Sequence, residues 1–176
     1  MKKLNDKVKS IIVLTLICLI VTGVLAVTNS FTSPVIEKSR AVKVKNSLMA
    51  VLPGSSNFSE VELPEGAPST VKAVYKADDG SYAVVLGTMS SYSSGEMGVT
   101  CGISAHGELV GVTLTSYRES KDFGKDTYPK TYIGVNENTY ADVDTFAGVT
   151  YSSNAFKKAI GDAFAVVRLL KGGEAQ

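Results

Sequence analysis

Asp144-Thr145-Phe146-Ala147-Gly148-Val149-Thr150-Tyr151-Ser152-Ser153 sets a carboxylate, a glycine and the hydroxyls of Thr150, Ser152 and Ser153 within ten residues. Glycine lets the chain turn tightly. The hydroxyls stand where an apolar helical repeat begins, so they share a helix N-terminus with backbone N–H groups that have no intrahelical partner. Those donors and the positive end of the helix dipole attract phosphate. An ordinary Ser/Thr cap behind a glycine turn uses the same residue types, so these residues alone leave a phosphate site and a plain cap both open. A second polar stretch, Arg118-Glu119-Ser120-Lys121-Asp122-Phe123-Gly124, presents one carboxylate, Glu119, in a loop.

Other chemistries are poorly supplied. Two cysteines, Cys18 and Cys101, build neither a zinc cage nor a disulfide framework. The single histidine, His106, precedes Gly107 and reads as a turn residue; it removes His-rich metal sites and makes Ser-His-Asp catalysis a poor fit. No acid–base or nucleophile constellation stands out, so no catalytic residue and no metal ligand is expected. The net charge is +1 over 176 residues, without the basic excess of a nucleic-acid binder.

The elements that position the Thr150 segment follow from periodicity. In Tyr151–Leu170, Phe156, Ala159, Ile160, Ala163, Phe164, Val167 and Leu170 recur at helical spacing, with Lys157, Lys158, Asp162 and Arg168 on the other face. Gly172-Gly173 is expected to end this helix. Upstream the period is two: Val71–Ala77 and Tyr82–Met89 flank Asp78-Asp79-Gly80, and Val99–Ala105 and Leu109–Tyr117 flank His106-Gly107, which predicts two β-hairpins. Met89–Gly98 is a Ser/Gly-rich loop. Hairpins with one apolar face need a covering layer, so the expected class is α+β, an antiparallel sheet packed with one or two helices. Cys101 reads as a small buried strand residue. Tyr117, Tyr128, Tyr132 and Tyr151 are able to stack on a planar ring, although tyrosines on half-buried sheets mostly serve packing.

The N-terminal part is different. Ile11–Val27 is apolar apart from Thr15, Thr22 and Gly23, and no charge lies between Ser10 and Ile36. Seventeen residues rise about 26 Å, and the uncharged flanks bring the run close to the hydrocarbon thickness of a bilayer. Lys2, Lys3, Lys7 and Lys9 against Asp6 place the N-terminus in the cytoplasm and the remainder outside. The run is longer than a signal-peptide core and Gly23-Val24-Leu25-Ala26 offers no good cleavage site. Cys18 follows Ile17 in mid-run, which does not suit a lipid-modified cysteine, and it reads as an apolar-facing thiol. A retained single-pass anchor is therefore expected over residues 1–30. Thr32-Ser33-Pro34 reads as the start of a juxtamembrane helix within residues 31–54, ending at Pro53-Gly54. Residues 53–70 look like an irregular connector, and residues 55–176 form the extracytoplasmic domain. Without the four lysines and Asp6, 14 basic and 16 acidic residues remain, so the outer part carries −2.

The segment Asp144–Ser153 resembles the flavinylation motif of the FMN-binding domain family, Asp-x-x-(Ser/Thr)-Gly-Ala-Thr followed by hydroxyl residues and a helix. Asp144, Gly148, Thr150, Ser152 and Ser153 match in register, while Ala147 and Val149 replace the usual Ser/Thr and Ala. Gly95-Glu96-Met97-Gly98 is similar to the family's Gly-x-x-Gly strand entry. In the loop at 118–124, Glu119 and Gly124 match a Glu-Thr-Pro-Gly-Leu-Gly pattern. The resemblance implies FMN joined by a phosphoester to Thr150, attached by a separate flavin transferase that uses FAD. Gly148, Val149, Ser152, Ser153, Asp144 and Glu119 would support the cofactor or its attachment. It further implies a non-autonomous redox subunit of an Rnf-type complex, an ion-translocating ferredoxin:NAD⁺ oxidoreductase. Its partners would be other integral-membrane and peripheral subunits, among them a second covalent-FMN subunit. A stand-alone anchored flavin carrier and a non-redox assembly or binding domain are the alternatives.

Overall fold

A computed structural model describes residues 6–90, 95–117, 124 and 126–174. The chain divides into two units, Met1–Val42 and Lys43–Gln176. Helix α1 covers Asp6–Val51.

In the first unit the side chains from Ile11 to Val27 are exposed throughout, and the helix is long and apolar enough to cross a membrane. Three of its hydroxyls are satisfied within the helix. Thr15 Oγ1 donates to the Ile11 carbonyl at 2.9 Å, Thr28 Oγ1 to Val24 at 2.8 Å and Ser30 Oγ to Ala26 at 3.0 Å. Such back-bonding removes the cost of carrying a hydroxyl into lipid, where no water replaces the lost partner. Cys18 is exposed, as its place in the run requires. The expected helix start at Thr32-Ser33-Pro34 is not observed, because α1 passes through these residues. Proline's fixed φ is helical, so Pro34 forfeits a ladder bond without dictating a stop.

The second unit is built on a five-stranded antiparallel meander in the order β1-β2-β3-β4-β5: Phe58–Val61, Val71–Ala77, Tyr82–Thr88, Met97–Ile103 and Leu109–Ser116. Both expected hairpins form. In the first, Ala77 N–H donates to the Ser81 carbonyl at 2.8 Å, and Gly80 takes φ +81°. The Asp79 carboxylate accepts from Ser81 N–H at 2.9 Å, and that bond keeps its carboxyl below the usual range. In the second, Gly107 N–H donates to the Ser104 carbonyl at 2.9 Å, with His106 in the turn.

Strand β1 corrects the reading of residues 53–70 as wholly irregular. Phe58 and Val61 pair with Ala77 and Val74, and Phe58 packs beside Leu48, Val51 and Ala83. Two apolar residues in a four-residue edge strand are too few to produce a periodic signal.

Both faces of the sheet are covered. The last two turns of α1 lay Leu48 and Val51, with Leu52, on the face bearing Ala77 and Ala83. The close approach depends on Gly102 and Gly111, which are cross-strand partners in β4 and β5. A Cβ at Gly111 would stand 2.2 Å from the Val51 carbonyl oxygen, and one at Gly102 would stand 2.6 Å from it. On the other face lies α2, Thr150–Glu174. Its Phe156, Ala159, Ile160, Ala163, Phe164 and Val167 bury against Val74, Val84, Leu86, Val99 and Cys101. The helix continues past Gly172-Gly173 to Glu174, where termination was expected. Lys171 Nζ, donating to the Ala105 carbonyl at 2.9 Å, fastens this final turn to the β4–β5 corner.

Candidate functional site: the turn before the last helix

Phe146–Val149 forms a turn closed by Val149 N–H donating to the Phe146 carbonyl at 3.3 Å. Gly148 occupies the third position with φ +83°, which a type II turn demands there and which L side chains resist. A Cβ at Gly148 would meet nothing within 4 Å, so the requirement is conformational rather than spatial. The Val149 carbonyl accepts the first helical bond, from Ser153 N–H at 3.1 Å. Thr150 is thus the first helical residue, exposed, with its own amide and that of Ser152 ahead of this bond. Among the described residues, an exposed threonine thus stands at the positive end of a 25-residue helix, an end that favours phosphate.

The turn is held from two sides. Ser153 Oγ accepts from Phe146 N–H at 3.1 Å and donates to the Val149 carbonyl at 3.0 Å, stitching the residues before and after Gly148. From the core, Tyr128 Oη donates to the Asp144 carbonyl at 3.0 Å. Tyr128 and Tyr132 belong to a short 3-10 helix, Tyr128–Tyr132, and their hydroxyls lie 3.0 Å apart. A phenol has one proton, and that of Tyr128 goes to Asp144, so Tyr132 is the donor to Tyr128. Burial and this contact push the Tyr132 hydroxyl pKa upward. The Tyr128 ring also meets Phe146 edge-on at 5.8 Å and lies 5.9 Å from the Phe156 ring. Gly124 completes the support: its carbonyl accepts from Thr127 and Tyr128 N–H at 2.8 and 2.7 Å, and a Cβ on it would stand 3.2 Å from the Phe146 ring.

The structure therefore gathers Asp144, Gly148, Val149, Thr150, Ser152 and Ser153 at one end of α2, in distinct situations. Thr150 is exposed. Ser152 and Ser153 are buried, and the Ser153 hydroxyl is engaged within the turn. Val149 packs on the core. The Asp144 side chain is exposed while its carbonyl is fixed by Tyr128. Glu119 lies outside the described residues. Of the tyrosines considered for ring stacking, Tyr128 and Tyr132 are buried packing residues and Tyr117 is half-buried against the core. Tyr151 is 58% exposed, next to Thr150, and Phe146 is 39% exposed. Sequence reasoning missed the Tyr128–Tyr132 pair as the turn's support. Its signal was two tyrosines four apart around a proline, Tyr-Pro-Lys-Thr-Tyr. Among the described residues no cluster of His, Cys, Asp and Glu is fit to hold a metal.

Residues 93–165 match the FMN-binding domain family. The matched segment is less than half of the chain, yet it takes in β4, β5, the tyrosine pair, the turn and the first four turns of α2. No curated protein matches the chain. The match supports FMN as the cofactor and flavin-based electron transfer as the role of this FMN-binding region. The residues present fit such a group. Thr150 offers an accessible hydroxyl, the helix end supplies donors and positive potential for the phosphate, and Gly148 leaves open space beside it.

Proposed function

We propose that Thr150 carries FMN through a phosphoester bond. We further propose that the protein is an electron-transfer subunit of an Rnf-type ion-translocating ferredoxin:NAD⁺ oxidoreductase. It resembles the single-span flavin subunit of that complex and, more distantly, the corresponding subunit of the sodium-pumping NADH:quinone reductase. The observation that carries this reading is an exposed threonine at the first residue of α2, inside the segment that matches the FMN-binding domain family. In the attachment step Thr150 Oγ1 forms a bond to the FMN phosphorus of FAD, the pyrophosphate bridge breaks, and AMP leaves. The hydroxyl proton passes to the transferase or to solvent. Amides at the start of α2 stabilise the phosphodiester charge, and Asp144, on the exposed approach to the turn, offers the transferase a recognition point.

A covalent bond suits this place in the cell. With the lysine-rich N-terminus in the cytoplasm, the domain stands outside the membrane, where a dissociated cofactor is lost by diffusion. When bound, the flavin supplies one- or two-electron chemistry, and the protein orients the ring and tunes it. The exposed faces of Phe146 and Tyr151 are the aromatic surfaces nearest in sequence to Thr150. The membrane run from Ser10 to Ile36, free of charged residues, supplies no ion path, so ion movement falls to neighbouring integral-membrane subunits. Electrons pass to and from those subunits, including the second covalent-FMN subunit.

The test is expression with the flavin transferase, followed by denaturing electrophoresis and intact-mass measurement. Wild type should fluoresce in the gel and weigh one FMN, less water, more than its amino acids. Thr150→Ala should do neither. A colourless wild type of unmodified mass would favour the assembly-domain alternative.

A further inference from the structure

We infer that Tyr128 is a positioning residue for flavin attachment, its hydroxyl holding the Asp144–Val149 turn in the form that presents Thr150. This rests on the reading of Thr150 as the flavinylated residue. Three observations converge on it. Tyr128 is buried, yet its hydroxyl is not a passive core atom: it donates to the Asp144 carbonyl at 3.0 Å, the first residue of the turn segment. Its ring braces Phe146, whose N–H and carbonyl are both used within the turn. Its oxygen is in turn loaded by the Tyr132 hydroxyl at 3.0 Å, which polarises the Tyr128 proton toward Asp144. The chain of donors thus runs from core to surface and ends on backbone, six residues before the hydroxyl that attacks FAD. Preorganising that hydroxyl matters because in the transfer Oγ1 must meet phosphorus as the bond to AMP breaks. A freely moving turn spends part of its time out of line.

The experiment uses the full chain in detergent. Purified unmodified protein is incubated with flavin transferase and FAD, and the initial rate of fluorescent labelling is read beside hydrogen–deuterium exchange of the unmodified protein and its melting temperature. Tyr128→Phe keeps the ring and deletes one hydroxyl. It should slow labelling by about two- to tenfold, the range one neutral hydrogen bond spans, and raise exchange selectively at residues 144–149. Tyr132→Phe leaves the bond to Asp144 in place and should act in the same direction but less. Tyr140→Phe is the matched control: Tyr140 packs on Phe164 at 5.8 Å, away from the turn, and should alter neither readout.

Equal exchange at 144–149 in wild type and Tyr128→Phe overturns the proposal. So does loosened exchange with an unchanged labelling rate, or a loss of protection spread evenly over β2–β5 in step with the melting temperature. A wild type that takes no label sinks the Thr150 reading and with it the presentation role. The exchange pattern then still decides whether Tyr128 clamps the turn.

Discussion

Gly148→Ala tests the turn at the scale of one backbone angle. With φ at +83° and open space around the added methyl, the cost is that of forcing an L residue left-handed, about 1–2 kcal/mol. A lowered urea midpoint with an unchanged slope would register it, and Gly148→Asn should be milder. Cys101 supplies a pH dependence. Burial raises its thiol pKa above the unfolded value of about 8.5, so the native state withholds ionisation that the unfolded state permits. The Cys101 contribution should therefore be level below that pH and turn destabilising as pH rises above it; Cys101→Ser should flatten that alkaline decline in urea titrations at stepped pH. The turn at Gly148 and the helix start at Thr150 were legible because glycine, hydroxyls and a helical repeat in fixed order make a local pattern, whereas their reading as a cofactor site came from the family resemblance. Tyr128 and Tyr132 were not legible. Whether a tyrosine packs inside or stacks outside depends on what the tertiary fold lays over it, and Phe156, which lies against both rings, comes from α2, more than twenty residues later.

Elements followed the same division. Both hairpins and α2 were readable from alternation and helical recurrence, since each buries a continuous face. β1 was not, because an edge strand with two half-buried residues needs little hydrophobic pattern and takes its register from β2. The unbroken passage of α1 through Pro34 was also hidden, as a proline that is a fair helix starter is locally the same residue as one tolerated within a helix. The paired glycines of β4 and β5 carry the prediction at this scale. Gly111→Ala drives a methyl to 2.2 Å from the Val51 carbonyl, so either the strand or the end of α1 must move. A loss of about 1–3 kcal/mol is expected, read as a fall in melting temperature, whereas Gly54→Ala, which meets nothing within 4 Å, should be near neutral in comparison.

For the whole molecule, the sequence set an anchor over residues 1–30, a juxtamembrane helix over 31–54 and a domain over 55–176, whereas the structure divides into compact units at Val42–Lys43, within that expected helix. The side on which the domain lies is a matter of charge bias, and protease added to intact cells checks it: residues after the anchor should be cut while the N-terminal lysines stay protected. Anchoring itself is tested by Leu19→Arg. Leu19 is exposed in the middle of the run, and a central arginine costs about 2.5–3.5 kcal/mol on insertion. Wild type should remain with the pellet after an alkaline wash and the variant should shift toward the supernatant.

The stitch made by Ser153 has a physiological corollary. Phe146 and Val149 are joined through that side chain, and Asp144 is held through Tyr128, so among the described residues the chain itself braces this turn. Shaping of the turn is thereby separate from flavin attachment, and only the attachment draws on vitamin supply. On the proposed function, cells starved of riboflavin would accumulate intact, unpigmented protein, and restoring the nutrient would pigment it without new translation.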